Sequence, residues 1–233
     1  MISLLFGFLF LVAPQKKSSA SADDIMKRVE QNSEGVLDFV VSLEGEIDME
    51  RLRVPRTTAT MYYKKPDKVT FDSPGFGLVP REGVFLNAMV LRQRYNSTLA
   101  GDDTAWGKRA LKLQLAAKDA KTRLRELQLW VDPDNWTIVR AQATPYEGRI
   151  LTLDFTYAQH VGTYWLPRRM KAIFGTTSQE SVRPRLDSNP SPVGQLEETQ
   201  RAMPRSGSIT INYLNYRINT NLPDSLFQPK DIK

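Results

Sequence analysis

The chain has 233 residues, 41% of them hydrophobic, which is enough for one full core and within the length that β-sandwiches and β-barrels reach as single domains. It contains no cysteine, which excludes disulfides, thiolate metal sites, thiol nucleophiles and a lipidated N-terminal Cys. The formal charge of +6 suggests mild attraction to anionic lipid headgroups, but the charges are scattered and no basic helix or aromatic motif organises them, so no nucleic-acid partner is expected.

Residues 1–13 form an apolar run bounded by Pro14. The run is too short to cross a hydrocarbon core of ~30 Å and suits the h-region of a secretory signal. Ala20-Ser21-Ala22 matches a cleavage pattern that would leave Asp23 as the first mature residue and remove Lys16 and Lys17. Residues 1–22 are therefore expected to be a signal peptide and 23–233 a single exported domain. The alternative is an uncleaved N-terminal segment that tethers the domain to a membrane, because no Lys or Arg precedes the apolar run.

Next comes a capping-box pattern, Ser21 with Asp24 three residues on, leading into Ile25, Met26 and Val29 at helical spacing. One short helix is predicted to about Asn32, with Gly35 ending it. From Val36 the period changes to alternation: Leu37, Phe39, Val41, Leu43 and Ile47 face one way, and Ser42, Glu44 and Glu46 the other. The same alternation recurs at Thr57-Ala59-Met61-Tyr63, Val69-Phe71, Leu111-Leu113-Leu115, Leu127-Leu129-Val131, Leu151-Leu153-Phe155-Tyr157 and Ile209-Ile211-Tyr213. Turn signals separate these runs at Lys65-Pro66-Asp67, Ser73-Pro74-Gly75, Asp132-Pro133-Asp134-Asn135, Glu147-Gly148 and Val161-Gly162. Short links imply an antiparallel meander, and about ten or eleven strands against one helix should coil into a barrel or half-barrel. The fold class is thus mostly β (α+β), with the apolar face lining a concavity. Residues 176–207, rich in Ser, Pro, Arg, Glu and Gln, read as a mobile insertion between two strands.

The residues that chemistry would need are sparse. His160 is the single histidine and reads as a surface turn residue, so neither a His-based triad nor a multi-histidine metal site can be assembled. The pairs Asp102/Asp103 and Asp132/Asp134 sit in turn-like contexts that favour capping over acid–base work. Gly75-Phe76-Gly77 lacks the rest of a phosphate loop, and Gly101-Asp102-Asp103 the rest of a calcium loop. The expectation is a binding protein, with no cofactor and no metal; an unusual hydrolase would need acids facing the cavity, and the alternation points Glu44, Glu46 and Asp154 outward.

The stretch from Thr60 through Lys64-Lys65-Pro66-Asp67 to Phe71 resembles the LolA/LolB-like superfamily, in which a strand ends in a basic pair plus proline and an aromatic-bearing strand follows. Leu127 to Asp132, Ile138 to Ala143, Leu151 to Phe155 and the terminal Leu222-Pro223-Asp224-Ser225-Leu226-Phe227-Gln228-Pro229 extend the resemblance over nearly all of the mature chain. It implies an unclosed eleven-stranded β-barrel with helices over its mouth, and a periplasmic carrier that shields acyl chains during outer-membrane lipoprotein sorting. Its partners would be an acylated lipoprotein or lipid and transport proteins of the inner and outer membranes, with the carrier itself a monomer. In the lipoprotein carriers an arginine before that proline latches the lid; the matching position here is Lys65, a point donor without the planar fork. The length after Phe155, with Tyr164-Trp165-Leu166-Pro167 and the insertion, resembles the wider group, which includes sensor domains. A sensor or scaffold that binds a partner protein or envelope lipid without transport is the alternative.

The candidate ligand-binding residues are Phe39, Val41, Leu43, Met61, Tyr63, Val69, Phe71, Leu113, Leu129, Leu153 and Phe155, with Lys65 as lid latch. Any of them could equally be ordinary core packing against the helix, since one apolar face serves both purposes.

Overall fold

The computed structural model describes residues 20–49, 52–53, 55–72, 84–122, 124–143, 149–176 and 207–228. The apolar N-terminal run, the Ser73-Pro74-Gly75 and Glu147-Gly148 turns, the Gly75-Phe76-Gly77 stretch and residues 177–206 of the expected insertion lie outside these.

Helix α1 (Ala22–Gln31) starts where the capping box places it: Ser21 Oγ accepts from the Asp24 N–H at 3.2 Å, and the Asp24 carboxylate accepts from the Ser21 N–H. It buries Ala22, Ile25, Met26 and Val29. The strands follow as β1 (Asp38–Met49), β2 (Leu52–Arg53), β3 (Thr57–Lys64) and β4 (Lys68–Asp72). A second helix, α2 (Ala88–Arg94), then precedes β5 (Tyr95–Ala105), β6 (Lys108–Ala117), β7 (Glu126–Asp132), β8 (Thr137–Ala143), β9 (Arg149–His160), β10 (Tyr164–Thr176) and β11 (Gly207–Ile218). A 3₁₀ turn, Asp224–Phe227, ends the described chain.

Ten strands form one antiparallel sheet in the order β4-β3-β1-β11-β10-β9-β8-β7-β6-β5, and the short β2 extends the pairing of β1 beyond β3. Among the described residues no pairing joins β4 to β5, so the barrel is open. Burial alternates strictly in β3, whereas β1 opens with four consecutive buried residues, Asp38 to Val41, and β7 buries Leu129, Trp130 and Val131 in a row. One cluster unites the inward side chains of β1, β3, β6 to β11 with the apolar sides of α1 and α2.

Three sequence expectations need correction. Leu37 precedes β1 instead of joining its inward face, and it is exposed. Asp102 and Asp103 lie within β5, a strand whose polar composition hides its alternation. His160 ends β9 with its ring 4.7 Å from that of Tyr216, and its Nε2 is buried without a hydrogen-bond partner. Burial lowers its pKa from the usual imidazole value.

Candidate functional site

The concave face is built by cross-strand neighbours. Phe39, Val41 and Leu43 of β1 pair with Tyr63, Met61 and Ala59 of β3, so all six share the inner face, and all are buried. Leu113 pairs with Leu129, Leu129 with Ala141 and Ala141 with Leu153, which carries the same surface across β6 to β9; Phe155 meets Met170 on β10. The structure thus brings nine of the eleven candidate residues into one buried surface. Phe71 pairs with Met61 and packs against this surface while partly exposed. Val69 departs from the expectation: its pairing with Tyr63 turns it inward, but on the edge strand β4 it remains 41% exposed.

The concavity is closed by the chain's own residues. Ile25, Met26 and Val29 of α1 and Ala88 and Leu91 of α2 pack into the same cluster as the barrel wall. Among the described residues a cavity of about 50 Å³ lies between the end of α1, the segment before α2, the start of β8 and the first residues of β10; Tyr63, Lys65, Trp136 and Trp165 are among its lining residues. This is far below the roughly 300–1,000 Å³ of a typical small-molecule pocket.

Polar groups around the margin hold the helices in place. Arg92 of α2 pairs with Asp23 at 3.2 Å and with Glu30, both on α1. The hydrogen bond from Lys27, reinforced by Arg92, keeps the Asp23 carboxyl below its usual range. Asn32 Nδ2 donates to the carbonyls of Asn135 and Trp136, and the Arg28 guanidinium lies 4.5 Å from the Trp136 ring. Lys65 Nζ donates to the Glu34 carbonyl in the turn after α1. Ahead of α2, Asn87 caps the helix through Met89 N–H and donates to the Pro66 carbonyl and the Tyr63 hydroxyl. Burial pushes the Tyr63 phenol up to about 12, and its hydroxyl donates to the Pro66 carbonyl. Tyr213 donates to the Val84 carbonyl, which ties the start of the same segment to β11.

Sequence reasoning missed α2 because Ala88–Arg94 is only seven residues long and two arginines interrupt its apolar side. The Asn87 cap was the available signal. It also missed Asp38, whose buried carboxylate accepts from Thr220 N–H at 2.7 Å, Thr220 Oγ1 at 3.1 Å and Leu222 N–H at 3.3 Å, and so docks the C-terminal segment. Asp154 does point outward, as expected, where it forms a bidentate pair with Arg140 at 2.6 and 3.1 Å. Among the described residues no three or more His, Asp or Glu side chains are grouped to hold a metal, and no helix is long and apolar enough to cross a membrane.

No protein-family profile and no curated protein matches the chain. Solved structures do. A protein domain from Vibrio parahaemolyticus, described as outer membrane lipoprotein-sorting, is 16% identical with a TM-score of 0.61, covering 88% of this chain and 95% of its own. A DUF1329 family protein from Desulfovibrio piger is also 16% identical, with a TM-score of 0.58 and the same coverage. A LolA superfamily protein from Nitrosomonas europaea is 13% identical with a TM-score of 0.56, covering 91% of this chain and 99% of its own. At these identities the common property is the fold: the chain has the LolA-like open half-barrel.

Proposed function

We propose that this protein is a periplasmic carrier that takes an acyl chain of a lipoprotein or lipid onto the concave face now covered by α1 and α2. The observation that carries this reading is the cover itself. Two short helices fill the concavity with apolar side chains, and the polar ties that fix them lie at the margin, where water can replace them.

The energetics allow exchange. Burial of Ile25, Met26, Val29 and Leu91 contributes about 1.5–3 kcal/mol each, so lifting the cover costs roughly 6–12 kcal/mol of apolar burial. An acyl chain of about fifteen methylenes recovers roughly 12 kcal/mol on the same wall at about 0.8 kcal/mol per CH₂. The two terms nearly balance, which is what a carrier that must both load and unload requires. Lys65 acts as one part of the latch in this account, since its bond to the Glu34 carbonyl holds the turn after α1 beside the ties made by Asn32 and Glu30.

The filled interior also favours a second reading, a sensor or scaffold that binds a partner with its outer surfaces and never opens. Native mass spectrometry with lipid extraction, on protein purified from a bacterial periplasm, separates the two. The carrier reading predicts bound phospholipid or acylated peptide, or uptake of an added fatty acid; a ligand-free protein that refuses added acyl ligands contradicts it.

A further inference from the structure

The convex side of the sheet carries a row of uncharged polar side chains. Gln114 of β6 pairs with Gln128 of β7, Gln128 with Gln142 of β8 and Gln142 with Thr152 of β9, while Thr98 of β5 extends the row at its other end. Their neighbours Leu113, Leu127 and Ala141 are buried in the core, so the alternation turns the row outward. The Gln142 amide donates to Thr152 Oγ1 at 3.2 Å. Among the described residues the side-chain amides of Gln114 and Gln128 have no hydrogen-bond partner.

Two residues further along the strands, Lys112, Trp130, Arg140 and Asp154 are paired in turn. Charge is neutralised within this surface: Arg140 forms its bidentate pair with Asp154, Lys112 lies 3.8 Å from Asp103, and Arg109 lies 3.2 Å from Asp102. Trp106 reaches the same row from the β5–β6 hairpin. It stands in the left-handed region at φ 50, with Gly107 after it at φ 75, where Asn-Gly is the usual pair. Its indole N–H donates to Asp154 at 3.4 Å, and the Arg140 guanidinium lies 5.9 Å from its ring. The residue nevertheless remains 49% exposed. An aromatic ring is thus fixed in orientation by an acid and a base, and left half open to solvent.

We infer that this convex face binds an extended, uncharged glycan of the chitin type, with one sugar stacked on Trp106 and the following sugars along the glutamine row. The C–H groups on the apolar face of a sugar ring meet the negative face of the indole. A side-chain amide both donates and accepts, as do the hydroxyl and acetamide groups of such a chain. Rungs of the row recur about every 4.7–4.9 Å across the strands, close to the rise per sugar in an extended glycan. Trp106, held by Arg140 and Asp154, lies about 7 Å from Gln142 and Thr152, two residues along the strands, within reach of the adjoining sugar. A protein partner fits less well, because the centre of such an interface is apolar and poor in charge. Here Trp106 is the one large hydrophobic side chain exposed on the outer face of β5 to β9 among the described residues, and paired charges surround it. An anionic ligand fits less well too, since Arg109, Lys112 and Arg140 are each matched by an acid. The inference stands apart from acyl carriage, as the two faces share no side chain.

The four tryptophans of the full chain supply a local readout. Fluorotryptophan labelling gives one fluorine resonance each for Trp106, Trp130, Trp136 and Trp165, assigned by single replacements with Phe. Titration with tetra-N-acetylchitotetraose should shift the Trp106 resonance saturably in the millimolar range and leave those of Trp136 and Trp165, which line the cavity on the concave side, where they are. Gln114→Ala and Gln128→Ala should each weaken binding by about 3–10-fold, the loss of one hydrogen bond, with the melting temperature unchanged. Maltotetraose, whose linkages coil the chain, should bind more weakly than the extended tetrasaccharide. A Trp106 resonance that stays still overturns the inference, as does a shift that the glutamine variants leave unaltered or that maltotetraose reproduces at the same concentration. So does a resonance that moves with protein concentration in the absence of saccharide, which would make this face a contact between copies.

Discussion

Asp38 is the side chain on which the C-terminal segment hangs. It is 4% exposed, and its carboxylate collects three hydrogen bonds from Thr220 and Leu222. Asp38→Ala leaves those donors unmatched in a buried place and should cost about 2–3 kcal/mol in urea unfolding, with residues 219–228 becoming the first site of proteolytic cleavage. His160 predicts a pH effect of definite sign. Burial lowers its folded pKa, so its contribution to stability is complete above the unfolded value near 6.5 and is lost as pH falls through the folded one. Thermal melts between pH 7 and 5 should therefore show a decline that His160→Leu reduces; equal slopes would contradict the assignment. Neither residue was legible beforehand. Asp38 sits at a strand start where an acid reads as solvated, and His160 stands beside a turn signal; the partners that bury them come from β11 and the segment after it, far away in sequence.

At the scale of elements, α1 was readable because capping and periodicity agree over ten residues. Ser21→Ala removes half of the capping box and should destabilise the helix by about 1 kcal/mol, seen as faster amide exchange across α1 with the barrel strands unchanged. The strands rich in Leu, Phe and Tyr were equally plain, whereas β5, with Asn, Ser, Thr, Gly and two Asp, carries too little apolar contrast to show its period. The cover and the wall should answer oppositely to truncation. Ile25→Ala weakens the closed form by about 2–4 kcal/mol without touching the wall, so fatty-acid affinity should rise; Leu113→Ala removes wall, so affinity should fall. A scaffold whose interior never opens would lose stability in both variants and show no affinity to change.

At the scale of the molecule, strand number and short antiparallel links pointed to a barrel or half-barrel, and only the family resemblance implied that it is unclosed. What could not be read is how full the concavity is, because one apolar alternation describes a ligand-lined wall and a packed core alike. Only the docking of α1 and α2 onto β1, β3 and β6 to β11 settles that the described interior is filled by the chain itself. The most direct test of acyl binding is photolabelling with a diazirine-bearing fatty acid, followed by peptide mapping. The account predicts covalent adducts on Phe39, Leu43, Leu113, Leu129 or Phe155, suppressed by excess unlabelled fatty acid; adducts confined to the convex side of the sheet, or none at all, would contradict it.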